Sequence, residues 1–158
     1  MNKGVHRPIG FTSALMLMLF ACAGCFSRPD YAPDFGRVSP NDGEENVATI
    51  PTFSWEIEGG FADIYFHLYA ADAYDYEKNR ATGSPLLQLT GFKPGRNTVS
   101  LQNDAELKSR YSAVGPFVDK GLSTLAYNQN YVWVLIGKKN GGNFWTAFRF
   151  RTTAKKKD

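Results

Sequence analysis

The sequence predicts an all-β fold, two antiparallel sheets packed as a sandwich, with one short inserted helix. Three observations predict it. Apolar and polar residues alternate over several short stretches, Gly, Pro and Asn punctuate the gaps between them, and only one stretch carries a helical period. At 158 residues, 43% hydrophobic and 21% charged, the composition is globular, and one domain is the expectation.

The strands follow in order. Thr52-Phe53-Ser54-Trp55-Glu56-Ile57 alternates between Pro51 and Gly59-Gly60. Ile64 to Ala70 alternates, as does Leu86 to Thr90, and Thr98 to Leu101 is a short β-branched piece. Tyr131 to Gly137 and Phe144 to Thr152 form a pair joined by Lys138-Lys139-Asn140-Gly141-Gly142, where Asn-Gly is a hairpin signal. Between these, Asn103 with Glu106 reads as a capping box. Leu107, Tyr111 and Val114 at i, i+4 and i+7 give a helix with one apolar stripe, stopped by Gly115-Pro116. The fifth strand is either Thr98 to Leu101 or Pro116 to Leu122.

The chain starts with Lys3, His6 and Arg7, then runs uncharged from Ile9 to Gly24. That is short for a bilayer span of roughly 20 residues and reads as a secretory leader. Cys22-Ala23-Gly24-Cys25 resembles the lipobox of bacterial lipoproteins, with small Ala23 and Gly24 before Cys25 but Cys22 where an aliphatic residue is usual. Leu19-Phe20-Ala21 before Cys22 is the rival site. The resemblance implies cleavage and acylation at Cys25, with Cys22 the alternative. With Phe26 rather than Asp following, it implies a place in the cell envelope, at the outer membrane.

The organisation expected is therefore a signal peptide over 1–24, a lipid-anchored Pro-containing spacer over 25–36, a sandwich over 37–153 and a basic tail over 154–158. Loss of Lys3 and Arg7 with the leader leaves 16 basic against 15 acidic residues, so nucleic acid has little electrostatic claim on the domain. Acylation of Cys25 would leave no thiol for a disulfide, a nucleophile or a metal ligand.

Ser39-Pro40-Asn41-Asp42-Gly43 followed by Pro51 to Trp55 resembles the opening of bacterial fibronectin type III domains, an immunoglobulin-like sandwich. Leu125 and Tyr131, then Tyr131-Val132-Trp133-Val134 and Phe150-Arg151-Thr152, resemble that family's tyrosine corner and closing hairpin. The resemblance implies that Trp55 anchors the core and that the Tyr131 hydroxyl returns to the backbone. The stretch from Gln102 to Thr124 departs from it.

No elbow, P-loop, Gly-x-Gly-x-x-Gly turn or paired histidine spacing is present, and no cofactor or metal is called for. His67 lies mid-strand between Tyr65 and Tyr69. Asp63, Asp72, Asp75 and Glu77 are near one another in sequence, which keeps a carboxylate-dependent glycan-processing enzyme as the alternative function.

The alternation itself points to a different feature. If Ile64, Phe66, Leu68 and Ala70, then Tyr131, Trp133 and Leu135, then Phe144, Thr146, Phe148 and Phe150 face inward, the residues between them merge into one outward patch. Tyr65, His67, Tyr69, Val132, Val134, Ile136, Trp145 and Arg149 make up this face, with Tyr74 and Tyr76 available to extend it. So apolar a surface needs a cover. Either the inserted helix lays Leu107, Tyr111 and Val114 across it, or it stays open and docks a partner. The function expected is a noncatalytic, lipid-anchored envelope module that contacts a protein or glycan through this aromatic face.

Overall fold

The structure is a computed structural model and describes residues 35–102, 104–121 and 123–155. The leader, Cys22, Cys25, the spacer through residue 34, Asn103, the Glu106 side chain and residues 156–158 lie outside the described residues.

Among the described residues, ten strands and two short α-helices follow one another as β1 (Phe35–Ser39), β2 (Glu44–Val47), β3 (Thr52–Ile57), β4 (Ala62–Ala70), β5 (Tyr74–Asp75), β6 (Arg80–Ala81), β7 (Leu87–Phe92), β8 (Gly95–Ser100), α1 (Asp104–Arg110), α2 (Pro116–Asp119), β9 (Asn130–Lys139) and β10 (Gly142–Thr152). The described residues are thus mostly strand, as the alternation predicts. One sheet has the order β1-β3-β8, a second has β2-β10-β9-β4-β7, and β5-β6 form a separate ribbon. All pairings are antiparallel except β2 with β10.

Period-two alternation fixes how the two large sheets meet. Phe53, Trp55 and Ile57 from β3 and Val99 from β8 share one core with Ile64, Phe66 and Leu68 from β4, Leu87 and Leu89 from β7, Trp133 and Leu135 from β9, and Phe150 from β10. Aromatic rings tie the sheets directly: Trp55 stacks on Phe66 with centroids 5.7 Å apart, and Phe53 meets Trp133 at 5.5 Å. The indole N–H of Trp133 donates to the Pro40 carbonyl at 3.1 Å, so this buried ring keeps its polar atom paired.

The two chain termini of this unit lie at opposite poles. Phe35 enters opposite Ile57, which in turn faces Gly95, and Phe35 packs on Phe61 beside the β9–β10 turn. Thr152 leaves opposite Val47 at the far end of β10. The turn itself has Asn140 at φ 52° and Gly141 at φ 80°, the paired positive angles that favour Asn-Gly in a two-residue hairpin.

Three expectations are corrected here, and one open alternative is decided. The domain begins earlier than residue 37, because Phe35 and Gly36 already pair with Ile57 and Glu56. The helix ends at Arg110; Val114 instead bridges Gln88, with backbone bonds of 2.9 and 3.0 Å, and is 53% exposed. Gly115 allows this path along β7, since at φ 120° a Cβ there would fall 2.8 Å from the Leu86 carbonyl oxygen. Phe144 is 40% exposed rather than inward, because it sits at the hairpin end and leans on the edge of Phe61. The open question of the strand before the corner is decided for Gly95–Ser100, which pairs with β3 along its length, whereas Pro116–Asp119 is helical.

Candidate functional site

Strands β4, β9 and β10 are neighbours, in the order required to merge their outward residues. Register places Tyr65 opposite Ile136, His67 opposite Val134, Tyr69 opposite Val132, Trp145 opposite Ile136 and Arg149 opposite Val132. All eight predicted face residues therefore lie on one side of the sheet. Val134 and Trp145 belong to a cluster separate from the one around Trp55.

What covers them is neither of the two covers considered. The helix turns Leu107 into the main core, where Tyr111, just past its end, meets Phe92 at 4.5 Å. The face is instead roofed by residues 71–81, a strap made of a short 3-10 turn and the β5–β6 ribbon. Tyr74 is buried against Tyr69 with centroids 5.2 Å apart, and together with Val132, Val134 and Ala147 they form a second apolar cluster. Val132 is 1% and Val134 2% exposed, and Tyr69 5%. The expectation that these three could touch a partner is thus corrected: their apolar surface is already satisfied within the chain. Tyr65, His67, Ile136 and Trp145 are half-buried, and Arg149 alone of the eight is exposed.

Local chemistry explains why the strap folds as it does. The Asp75 carboxylate accepts from the Lys78 amide at 3.0 Å and pairs with its ammonium at 3.1 Å, closing a turn that Asn79, at φ 49°, completes. The Tyr74 hydroxyl donates to the Asn79 side chain at 2.6 Å. The strap is then fastened to β10: Trp145 Nε1 donates to the Asn79 carbonyl at 3.2 Å, and the Tyr76 hydroxyl donates to the Ala147 carbonyl at 3.4 Å. The Arg149 guanidinium lies 4.0 Å from the Tyr76 ring centroid, a cation–π contact, and is held from behind by Asp42 at 3.7 Å. The signal for this roof was present in the alternation of Tyr74 and Tyr76 ahead of the Lys78-Asn79 turn, but two-residue strands give no period to read.

At the pole where Thr152 leaves, the strap and the sheet do not meet completely. A cleft of about 390 Å³ opens there, lined by Glu44 and Glu45 of β2, Tyr74 and Tyr76 of the strap, Asn130 to Val132 of β9, and Arg149 to Arg151 of β10. Its rim mixes carboxylates, guanidinium groups and phenol rings, suited to hydrogen bonding with a polar ligand surface.

None of the four acidic residues considered for catalysis lines the cleft, and Asp63 stands apart from Asp72, Asp75 and Glu77 of the strap. Asp63 pairs with Lys138 at 3.2 Å at the start of β4, while Asp72 follows its end, beyond roughly 23 Å of strand at 3.3 Å per residue. That exceeds any separation used by paired glycosidase carboxylates. Hydrogen bonds from the Lys78 amide and side chain hold the Asp75 carboxyl below its usual range, the direction opposite to a general acid. Burial lowers the His67 imidazole from 6.5 and raises the Tyr69 phenol. His67 Nδ1 lies 3.0 Å from the Tyr69 hydroxyl. Among the described residues no group of His, Cys, Asp and Glu is arranged to hold a metal ion, and no helix is long and apolar enough to cross a membrane.

A scan against protein-family models matches none, and a search of curated proteins finds no similar sequence.

Proposed function

We propose that this chain is a noncatalytic, lipid-anchored module of the bacterial cell envelope, a fibronectin type III-like sandwich that contacts a protein or glycan partner. The fold reading is supported by the strand order β1-β3-β8 against β2-β10-β9-β4-β7, by Trp55 at the centre of the core, and by the Tyr131 hydroxyl, which accepts from the Ala126 amide at 3.0 Å as a tyrosine corner does. Export, anchoring and the outer-membrane address rest on the leader and on Cys25, with Cys22 as the alternative acceptor.

The observation that carries the contact is the polar cleft beside Arg149. The aromatic face is consolidated by its own strap, so the partner meets the cleft rim, with Arg149, Glu45 and the edge of Tyr76 in reach. Crosslinking and pull-down from intact envelopes test this, with wild type compared against Arg149→Ala and Glu45→Lys. Loss of capture by both, with Lys120→Glu still binding and thermal unfolding unchanged, is the expected result. Capture undiminished in both cleft variants would sink the reading. Co-sedimentation with purified cell-wall glycan separates a glycan partner from a protein one.

A further inference from the structure

The two poles of the domain differ in chemistry, and the tether joins only one of them. We propose that the pole built around the β9–β10 turn rests on an anionic lipid surface, so that the cleft pole faces away from it. The proposal rests on the lipid attachment argued above.

Cys25 and Phe35 are ten positions apart, which is at most about 35 Å of extended chain and on the order of 17 Å for a flexible one. Strand β10, with 11 residues, is itself about 36 Å long. A tether entering at Phe35 therefore keeps that pole within about one strand length of the headgroups, and the chemistry of the pole decides whether it rests on them.

The near pole has the composition of an interface-seeking surface. Phe144 is 40% exposed, packs on Phe61 at 6.1 Å, and Phe61 in turn stacks on Phe35 at 5.5 Å. The Lys139 ammonium lies 5.0 Å from the Phe61 ring centroid, leaving its stem along the aromatic surface. Five cations, Arg37, Lys93, Arg96, Lys138 and Lys139, stand at this end against the carboxylates of Glu56, Glu58 and Asp63. Two of those three carboxylates pair with two of the cations, Glu56 with Arg37 and Asp63 with Lys138, both at 3.2 Å, so five cations against three carboxylates leave a net of two positive charges. Aromatic rings flanked by lysines are what the boundary of an anionic leaflet attracts. The far pole carries Asp42, Glu44, Glu45 and Asp72 near its cleft together with Arg149 and Arg151, so its charge is mixed where that of the near pole is positive, and Lys155 follows Thr152 at that same end.

The test uses the lipidated full chain with one introduced thiol, Asn143→Cys at the near pole or Glu45→Cys at the far pole. Each is coupled to a polarity-sensitive fluorophore and reconstituted in phosphatidylcholine vesicles with or without phosphatidylglycerol. The expected result is a blue shift at position 143 only, larger with phosphatidylglycerol and reduced by salt. Equal emission from the two positions, or a shift at position 45 driven by the C-terminal lysines, overturns the orientation. Palmitate incorporation into the wild-type chain is measured alongside. Without incorporation the anchor reading itself fails and takes the tether argument with it; with incorporation and no shift at 143, only the orientation fails.

Discussion

The indole N–H of Trp145 donates to the Asn79 carbonyl at 3.2 Å, joining two positions 66 residues apart in the chain. Through this bond an eleven-residue strap is pinned over a sheet face that would otherwise meet water. It also changes what Trp145 is for, from a contact offered to a partner to a fastener within the domain.

Trp145→Ala should therefore destabilise the protein by about 2 kcal/mol, less than for a fully buried indole because this one is half-buried. Trp145→Phe, which loses the bond and keeps most of the ring, should cost about 1 kcal/mol. Urea denaturation measures both. Limited trypsin digestion should cut the Ala variant faster after Lys78, and equal cutting rates would separate Trp145 from strap closure.

Trp55 is fully buried, stacked on Phe66 and touched on its edge by Phe92 at 5.0 Å. Its indole nitrogen is buried without a hydrogen-bond partner among the described residues. Trp55→Ala should cost roughly 3–5 kcal/mol, whereas Trp55→Phe removes the orphaned donor along with some packing and should cost only about 1 kcal/mol. Chemical denaturation of both variants checks the ratio.

Tyr131→Phe deletes the hydroxyl that accepts from the Ala126 amide at 3.0 Å and leaves that half-buried donor at the corner. A loss of about 1 kcal/mol is expected in urea, with the ring stacking on Phe150 at 5.6 Å unchanged.

Gly137→Ala should be more damaging than its chemistry suggests. A Cβ there would lie 2.6 Å from Phe61 Cδ1, and Phe61 is packed between Phe35 and Phe144. Overpacking of this kind costs roughly 1–3 kcal/mol. In a double-mutant cycle Phe61→Leu should recover part of the loss, so that the two changes are not additive.

His67 predicts a pH dependence. Burial lowers its imidazole below 6.5, so the unfolded chain takes up a proton before the folded one does. Stability from this group is present above pH 6.5 and is lost as pH falls from there through the folded value. The ring faces Tyr65 and Tyr69 on its own strand and lies opposite Gln88 and Val134, with no carboxylate among these to favour the cation. The midpoint of thermal unfolding should drop between neutral pH and the folded value in wild type, and the drop should shrink in His67→Gln.

Much of this protein is written locally. Alternation along Thr52 to Ile57, Ile64 to Ala70 and the two closing strands turned each side chain to its side of the sheet, because a pleated chain has no other choice. Asn140-Gly141 fixed the last turn for an equally local reason, the positive φ that both residues tolerate. That Asp63, Asp72, Asp75 and Glu77 are near one another along the chain could likewise be read, but their distances in the fold could not.

What covers the outward face was not local information. The sequence by itself determined that Tyr69, Val132, Val134 and Trp145 share a surface too apolar for water; the tertiary structure alone decided that residues 71–81, and not the helix, lie on it. The helix stripe and the strap offer similar apolar groups to any surface. The choice between them is made by where the chain emerges: the strap leaves directly from the end of β4 on the outer side, while α1 follows β8 of the opposite sheet and reaches only the core between them.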